Sequence, residues 1–241
     1  MIARLLSLLA LVGLCVGPVH AEAVFFGGGK HGLGGTGFSR SYGAAPAPFV
    51  NDTFTDADTT TLTAHTGETG ATWAANGASA TAQMVVATNR VYNSVSGTLY
   101  ASGTPADADY SVEADYYYRA TTATGSVAVG GRYSTSALSG YLCGLFQTGN
   151  TTAEARLYSI STGTLSSPLG GGAVSQTVTV GVSYRMKLTM SGTTIKCFID
   201  GVEKVTATDA TFAAAGKAAL RVNTAFTSTT GIHVDNFQAN D

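Results

Sequence analysis

From residue 49 onward, apolar and polar residues alternate with a period of two. The clearest run is DYSVEADYYYR, in which every second residue from Tyr110 to Tyr118 is apolar or aromatic. Side chains of a strand point alternately to its two faces, so this run predicts a strand with one core face and one polar face. Similar runs follow, separated by turn residues, and they read SVAVGGRYS, GYLCGLFQ, EARLYSIS and KAALRVN. No helical period extends beyond a turn or two, and the pattern therefore predicts an all-β sandwich or jelly roll.

Residues 184–206 predict a three-stranded meander. Apolar residues alternate through YRMKLTM, Ser191-Gly192 turns the chain, and a second alternating run follows. Asp200-Gly201 is a typical type I′ hairpin sequence, because both central residues of that turn need a positive φ. Gly163, by contrast, is predicted in a surface loop.

The first 48 residues follow a different pattern. An apolar run follows Arg4 and ends near Val19-His20-Ala21, which predicts an export signal over residues 1–21 with cleavage after Ala21. The alternative is a retained apolar segment, and the run is shorter than the roughly 20 residues of a membrane span. Residues 22–48 are Gly-rich with interspersed aromatic residues, which suits either a flexible linker or a docking arm that orders against a partner. The β domain is then expected over residues 49–241.

Composition narrows the classes of protein. Charged residues make up 12% of the 241, about half the usual ~25%, while 44% are hydrophobic, which is enough to bury a core. The net charge is −2 and no basic run occurs, which argues against a nucleic-acid partner.

Two cysteines remain after the predicted leader, Cys143 and Cys197, and both lie in predicted strands. Export would permit a disulfide, which requires Cα atoms within about 7 Å of each other. Buried free thiols are the preferred interpretation, and a disulfide is the alternative.

The order of these segments resembles the concanavalin A-like, laminin-G-like jelly-roll family. The resemblance covers residues 51–239, from NDTFTDAD through the meander to the closing HVDNFQA. It implies an antiparallel jelly-roll sandwich of two sheets, with Trp73 in its core. The family includes lectins, carbohydrate-binding modules, glycosidases, adhesion domains and viral appendage domains, so the resemblance does not select an activity.

One motif bears on catalysis. Glu113-Ala-Asp115 is similar to the start of the E-x-D-x-E motif of laminarinase-like members, in which two carboxyl groups work as a pair. Retaining glycosidases need those groups about 5–5.5 Å apart. Tyr117 and Tyr118 stand where the second carboxyl belongs, and a phenol with a pKa near ~10 is a poor proton donor at neutral pH. The sequence therefore predicts a protein that is not an enzyme.

The polar row of the same strand is the predicted ligand-binding surface. Aromatic rings beside hydrogen-bonding side chains suit sugars, whereas ordinary strand surface is the alternative. The predicted ligand-binding residues are Glu113, Asp115, Tyr117, Arg119, Arg132 and Tyr141.

No cofactor is expected, with one exception. Asp52, Asp56 and Asp235 lie near the two ends of the domain, where carboxylates could hold a structural Ca²⁺. Asp residues of loops and turns are the commoner explanation. The histidines lack the spacing of a zinc site.

Three functions fit these observations. The favoured one is a structural or adhesion protein on an exposed surface, such as a virion fibre, decoration or tail domain, because of the Gly-rich arm, the low charge and the missing carboxyl group. The second is an exported bacterial carbohydrate-binding protein, and the third a glycoside hydrolase with an atypical acid. The expected partners are virion or cell-surface proteins, reached through the arm in a homo-oligomer or larger assembly, and glycans. The expected location is extracellular or the virion surface.

Overall fold

The computed structural model describes residues 47–76, 84–86, 88–93, 97–119, 125–222 and 226–241. The predicted leader and nearly all of the Gly-rich arm lie outside the described residues. Those described form strands and turns, which confirms the all-β class. Within these ranges no helix has the length and apolar character needed to cross a membrane. The strands are β1 (Val50–Asp52), β2 (Trp73–Ala75), β3 (Met84–Val86), β4 (Val91–Asn93), β5 (Gly97–Ala101), β6 (Tyr110–Tyr118), β7 (Gly125–Ser134), β8 (Ser139–Gln147), β9 (Thr152–Ser161), β10 (Thr164–Leu165), β11 (Val174–Thr177), β12 (Ser183–Ser191), β13 (Thr194–Ile199), β14 (Val202–Thr208), β15 (Lys217–Val222) and β16 (Ile232–Asn240).

The strands form two antiparallel sheets. Sheet A has the order β14-β13-β12-β6-β16-β4-β3, with β1 also paired to β16. Sheet B has the order β10-β9-β8-β7-β15-β5-β2, with β11 also paired to β9. The predicted antiparallel two-sheet sandwich is therefore confirmed.

The core lies between the sheets and follows the predicted alternation. In β6 the residues at even positions from Tyr110 to Tyr118 are buried, and those between them are half-buried on the open face of sheet A. Trp73 is buried, as expected, with its ring edge-on to Phe237 at 5.0 Å between centroids.

Cys143 and Cys197 form a disulfide, so the preferred interpretation of free thiols is wrong. Cys143 lies on β8 of sheet B and Cys197 on β13 of sheet A, and both are fully buried. The two Cα atoms are 5.4 Å apart because both side chains point into the core at facing positions. The bond joins the two sheets covalently.

The predictions for Asp200-Gly201 and Gly163 can be compared with two hairpin turns of the structure. Asp200 and Gly201 have φ values of 50° and 77° between the paired residues Ile199 and Val202, which confirms the type I′ turn. Gly163 also has a positive φ, 80°, and lies in the two-residue turn between β9 and β10. The predicted surface loop at Gly163 is therefore a tight hairpin turn between β9 and the two-residue strand β10.

Candidate functional site

The predicted polar row lies on the open face of sheet A. Glu113, Asp115 and Tyr117 are half-buried, and Arg119 follows directly after β6. Because β6 lies between β12 and β16, side chains of both neighbours flank the row.

Arg185 of β12 holds the two carboxylates of the row together. Its Nη1 donates to Asp115 Oδ1 at 3.1 Å, and its Nη2 lies 3.4 Å from Glu113 Oε1. Lys187 Nζ lies 3.8 Å from the other Glu113 oxygen, and Asn236 Nδ2 of β16 donates to Asp115 Oδ2 at 2.8 Å. Both carboxylates are thus engaged with cationic or amide donors.

Tyr117 stacks against arginine. The Arg90 guanidinium carbon lies 4.0 Å from the centre of the Tyr117 ring, and that of Arg119 lies 5.9 Å away. A cation over the ring face is a stabilising contact. Tyr117 is therefore a packing partner of Arg90.

A groove of about 560 Å³ opens beside Glu113 and runs from β6 across β12 to β13. Phe198, which stands opposite Lys187 in the β12–β13 pairing, contributes a half-buried aromatic ring to it. The lining residues are Glu113, Arg185, Lys187, Thr189, Phe198, Asp200 and Gly201.

The sequence analysis missed Phe198 and Lys187, although the sequence contains a signal for the first. In TIKCFID the core positions are Ile195, Cys197 and Ile199. Phe198 falls between them in the polar phase of the strand, and an aromatic residue there points to the open face. Its position beside Lys187 depends on the pairing with β12.

Arg132 and Tyr141 do not share this face, which corrects their placement in the predicted surface. Both are buried and both belong to sheet B. Arg132 donates to the carbonyls of Ala108 at 2.7 Å and Gly192 at 2.8 Å. Tyr141 Oη donates to Asp209 Oδ1 at 2.7 Å, and burial together with this carboxylate raises the pKa of Tyr141 to about 12. The two side chains hold loops together.

A buried histidine lies between two of the aspartates that the sequence suggested for calcium. His65 Nε2 is 2.9 Å from Asp52 Oδ1, and His65 Nδ1 is 3.1 Å from Asp56 Oδ2. Asp52 Oδ1 also accepts the backbone N–H of Phe54, and its Oδ2 accepts Trp73 Nε1–H at 2.6 Å. We call Asp52, His65 and Asp56 the histidine clasp.

These residues do not fit a calcium ion. Both oxygens of Asp52 already accept N–H donors, and Asp235 points to Arg90, with 3.8 Å between Asp235 Oδ2 and Arg90 Nε. Across the described part of the chain, no group of three or more His, Cys, Asp or Glu side chains is arranged to hold a metal.

Electrostatics favour a protonated histidine in the clasp. Burial alone would lower the pKa of His65, but the hydrogen bonds to Asp52 and Asp56 outweigh it and raise the pKa. Burial raises the pKa of Asp52, an effect that its hydrogen-bond donors partly offset. Because an ionised carboxylate only accepts hydrogen bonds, a ring between two such groups is best satisfied with a proton on each nitrogen.

Comparison with solved structures supports the fold. The chain is similar to the carbohydrate-binding module CBM66 from Bacillus subtilis, with a TM-score of 0.53 and 16% identity over 70% of this chain and 95% of that one. It is also similar to a mutant of the GH43 protein BlXynB from Bacillus licheniformis, with a TM-score of 0.51 and 12% identity over 79% of this chain. The match spans only 38% of the BlXynB chain. The fold is the concanavalin A-like jelly roll that the sequence resemblance implied.

No protein-family model matches the chain. No curated protein matches it either.

Proposed function

We propose that this protein is a non-enzymatic glycan-binding domain exposed on a surface, with the groove beside Phe198 as its binding site. The observation that carries the proposal is the half-buried ring of Phe198 beside Lys187 and Glu113 in a groove of about 560 Å³. A sugar can place the apolar face of its ring on an aromatic side chain while its hydroxyl groups bond to neighbouring polar groups.

The charges of the groove favour a neutral sugar. Glu113 and Asp200 balance Arg185 and Lys187 among the lining residues. Asp200 Oδ1 also accepts the backbone N–H of Arg185 at 2.7 Å, which keeps that carboxylate at the rim. Hydroxyl groups can both donate and accept, so they match a lining that offers both.

The surface location rests on two further observations. The buried Cys143–Cys197 disulfide suits an oxidising compartment, which supports export. The Gly-rich arm of residues 22–48 supports attachment to a larger assembly, and the narrower proposal is a virion fibre, decoration or tail domain. An exported bacterial carbohydrate-binding protein is the alternative, and the likeness to the CBM66 module supports it equally.

Removing the Phe198 ring tests the site. In a screen of neutral oligosaccharides followed by calorimetry, we expect Phe198→Ala to weaken binding about tenfold or more, since stacking and buried area are both lost. Val202→Ala is the matched control, because Val202 is an exposed apolar residue on the next strand that lies outside the groove. Equal binding by wild type and Phe198→Ala, with unchanged melting temperatures, would contradict the proposal.

We also expect no hydrolysis of the sugars that bind. Arg185 contacts the carboxylates of both Glu113 and Asp115, Asn236 donates to Asp115, and Tyr117 stands where the second catalytic carboxyl would be needed. Incubation with β-glucans and related polysaccharides should release no more reducing sugar than a Glu113→Ala variant does. Release that depends on Glu113 would show an enzyme instead.

A further inference from the structure

A second cavity opens at one end of the sandwich, and it shares no lining residue with the Phe198 groove. Its volume is about 420 Å³. Three connections border it, namely the β5–β6 loop, the β7–β8 hairpin and the β14–β15 loop. The lining residues are 104–105, 132–136, 139 and 211–217, and all of them belong to the described part of the chain.

The β14–β15 loop gives this cavity an apolar wall. The wall consists of the half-buried ring of Phe212 and the three exposed alanines of residues 213–215. The Phe212 ring lies edge-on to Tyr141 at 5.2 Å between centroids, and the Phe212 backbone N–H donates to the Tyr141 hydroxyl at 3.2 Å. Because these contacts fix the ring in place, little conformational freedom is lost when a ligand packs against it.

The β7–β8 hairpin lines the cavity with hydroxyl groups. They belong to Ser134, Thr135, Ser136 and Ser139. Ser134 Oγ lies 3.3 Å from Ser136 Oγ and accepts the backbone N–H of Ala137 at 3.2 Å. A hydroxyl group donates one hydrogen bond and accepts up to two, so this part of the lining can both donate to a ligand and accept from it.

Ser139 is the most deeply placed of these hydroxyl residues. It is only 6% exposed, and its backbone pairs with Ser134. Its Oγ forms no hydrogen bond with any residue that the structure describes, yet it is not one of the fully enclosed polar atoms, so it can be reached from the cavity. Buried polar groups nearly always have a partner. Water can satisfy this hydroxyl in the free protein, and a ligand hydroxyl can replace that water.

The two cations of the lining are already engaged by the protein. The Arg132 guanidinium is paired with Asp109, with 3.0 Å between Nη2 and Oδ1. Lys217 Nζ donates to the Ser102 carbonyl and to Thr104 Oγ1, both at 2.7 Å. No carboxylate is among the lining residues. What remains for a ligand is therefore hydroxyl groups and apolar surface, which match an uncharged molecule that carries both.

We propose that this cavity is a second binding site, which takes the terminal residue of a neutral glycan. The C–H face of the sugar ring packs on Phe212, and one sugar hydroxyl bonds to Ser139 Oγ. A cavity at the lower end of the roughly 300–1,000 Å³ range of small-molecule sites, bordered by loops on three sides, suits a chain end better than the middle of a long chain. The site does not depend on the Phe198 groove.

An NMR titration of the isotope-labelled full chain with methyl glucoside, methyl galactoside and methyl mannoside tests the proposal. We expect at least one of them to shift the amide signals of residues 134–139 and 211–216 in a saturable way. Ser139→Ala should weaken that binding about three- to tenfold, the effect of one lost hydrogen bond. Ser126→Ala is the matched control, because Ser126 is another buried serine of sheet B and lies outside the cavity.

The melting temperature of Ser139→Ala should equal that of the wild type, since the Ser139 hydroxyl has no partner among the described residues. A lower melting temperature would show that the hydroxyl has a structural role, and would overturn the inference.

The titrations can overturn it in three further ways. No saturable shift at residues 134–139 and 211–216 with any of the three glycosides, or equal affinity of Ser139→Ala and wild type, would exclude the site. Tighter binding of methyl glucuronide than of methyl glucoside would exclude a neutral ligand. Shifts around Phe198 instead, lost in Phe198→Ala and kept in Ser139→Ala, would place the sugar in the sheet A groove, which supports the proposed function but not this second site.

Discussion

At the scale of single residues, the fully buried Asp52 carboxylate organises the start of the domain. It accepts N–H groups from Phe54, His65 and Trp73, and so connects the end of β1 to the following loop and to β2. A buried carboxylate with these donors is satisfied, whereas removal of one donor would leave it with an uncompensated charge.

The histidine clasp should make stability depend on pH. The folded pKa of His65 is raised above its unfolded value of about 6.5, so its contribution is complete below that value and is lost as the pH rises through the folded pKa. The raised pKa of Asp52 acts in the same direction at lower pH, and the lowered pKa of Asp56 opposes it. Burial lowers the pKa of His233 to about 4, which opposes this trend near pH 6, so we expect the melting temperature to fall between pH 7 and pH 9, at about 2–4 °C per kcal/mol lost.

A His65→Gln variant should melt at a lower temperature at pH 6 and show a smaller fall toward pH 9. Glutamine keeps a polar side chain but cannot gain a proton in this range. Scanning calorimetry at several pH values gives both quantities. If both proteins lose the same stability between pH 6 and pH 9, His65 does not titrate there and the clasp is neutral.

At the scale of elements, backbone conformation alone limits which residues fit position 201, in the hairpin turn between β13 and β14. A Cβ on Gly201 would meet no atom within 4 Å, so a larger residue there is limited by its φ of 77° and not by packing. A positive φ is energetically less favourable for a β-branched residue than for Asn.

We expect Gly201→Val to lower stability by about 1–3 kcal/mol, which corresponds to roughly 2–12 °C in melting temperature. Gly201→Asn should cost less, because Asn tolerates a positive φ. Thr193→Val is the control, since Thr193 is an exposed turn residue of the preceding hairpin and is not among the positive-φ residues. Thermal unfolding of the three variants measures the order. A Gly201→Val protein as stable as the wild type would mean that this turn contributes nothing.

At the scale of the whole domain, the first and last strands pair with each other. β1 pairs with β16, and Phe49 donates its backbone N–H to the carbonyl of Ala239 at 2.9 Å. The Phe49 ring also lies edge-on to Tyr110, with 5.4 Å between centroids. The contacts that join the two ends of the domain therefore begin at residue 49.

A chain of residues 47–241 should consequently fold without the leader and the arm. We expect a β-type circular dichroism spectrum and one cooperative thermal transition. A chain that begins at Thr53 lacks β1 and Asp52, and should unfold at a clearly lower temperature. Failure of the 47–241 chain to fold would place the domain boundary earlier. If that chain folds and still assembles as the full chain does, residues 22–48 are a linker and not a docking arm.

The sequence by itself determined the features that depend on neighbouring residues. Alternation gave the two faces of β6, because successive strand side chains point to opposite sides. Asp200-Gly201 predicted its turn, because a positive φ is a property of the residue itself. The tertiary structure alone decided which distant strands face each other. It paired Cys143 with Cys197, buried Arg132 and Tyr141, and brought Phe198 beside Lys187. Register and sheet membership set these contacts, and both follow from packing over the whole sandwich, which no local pattern in the chain specifies.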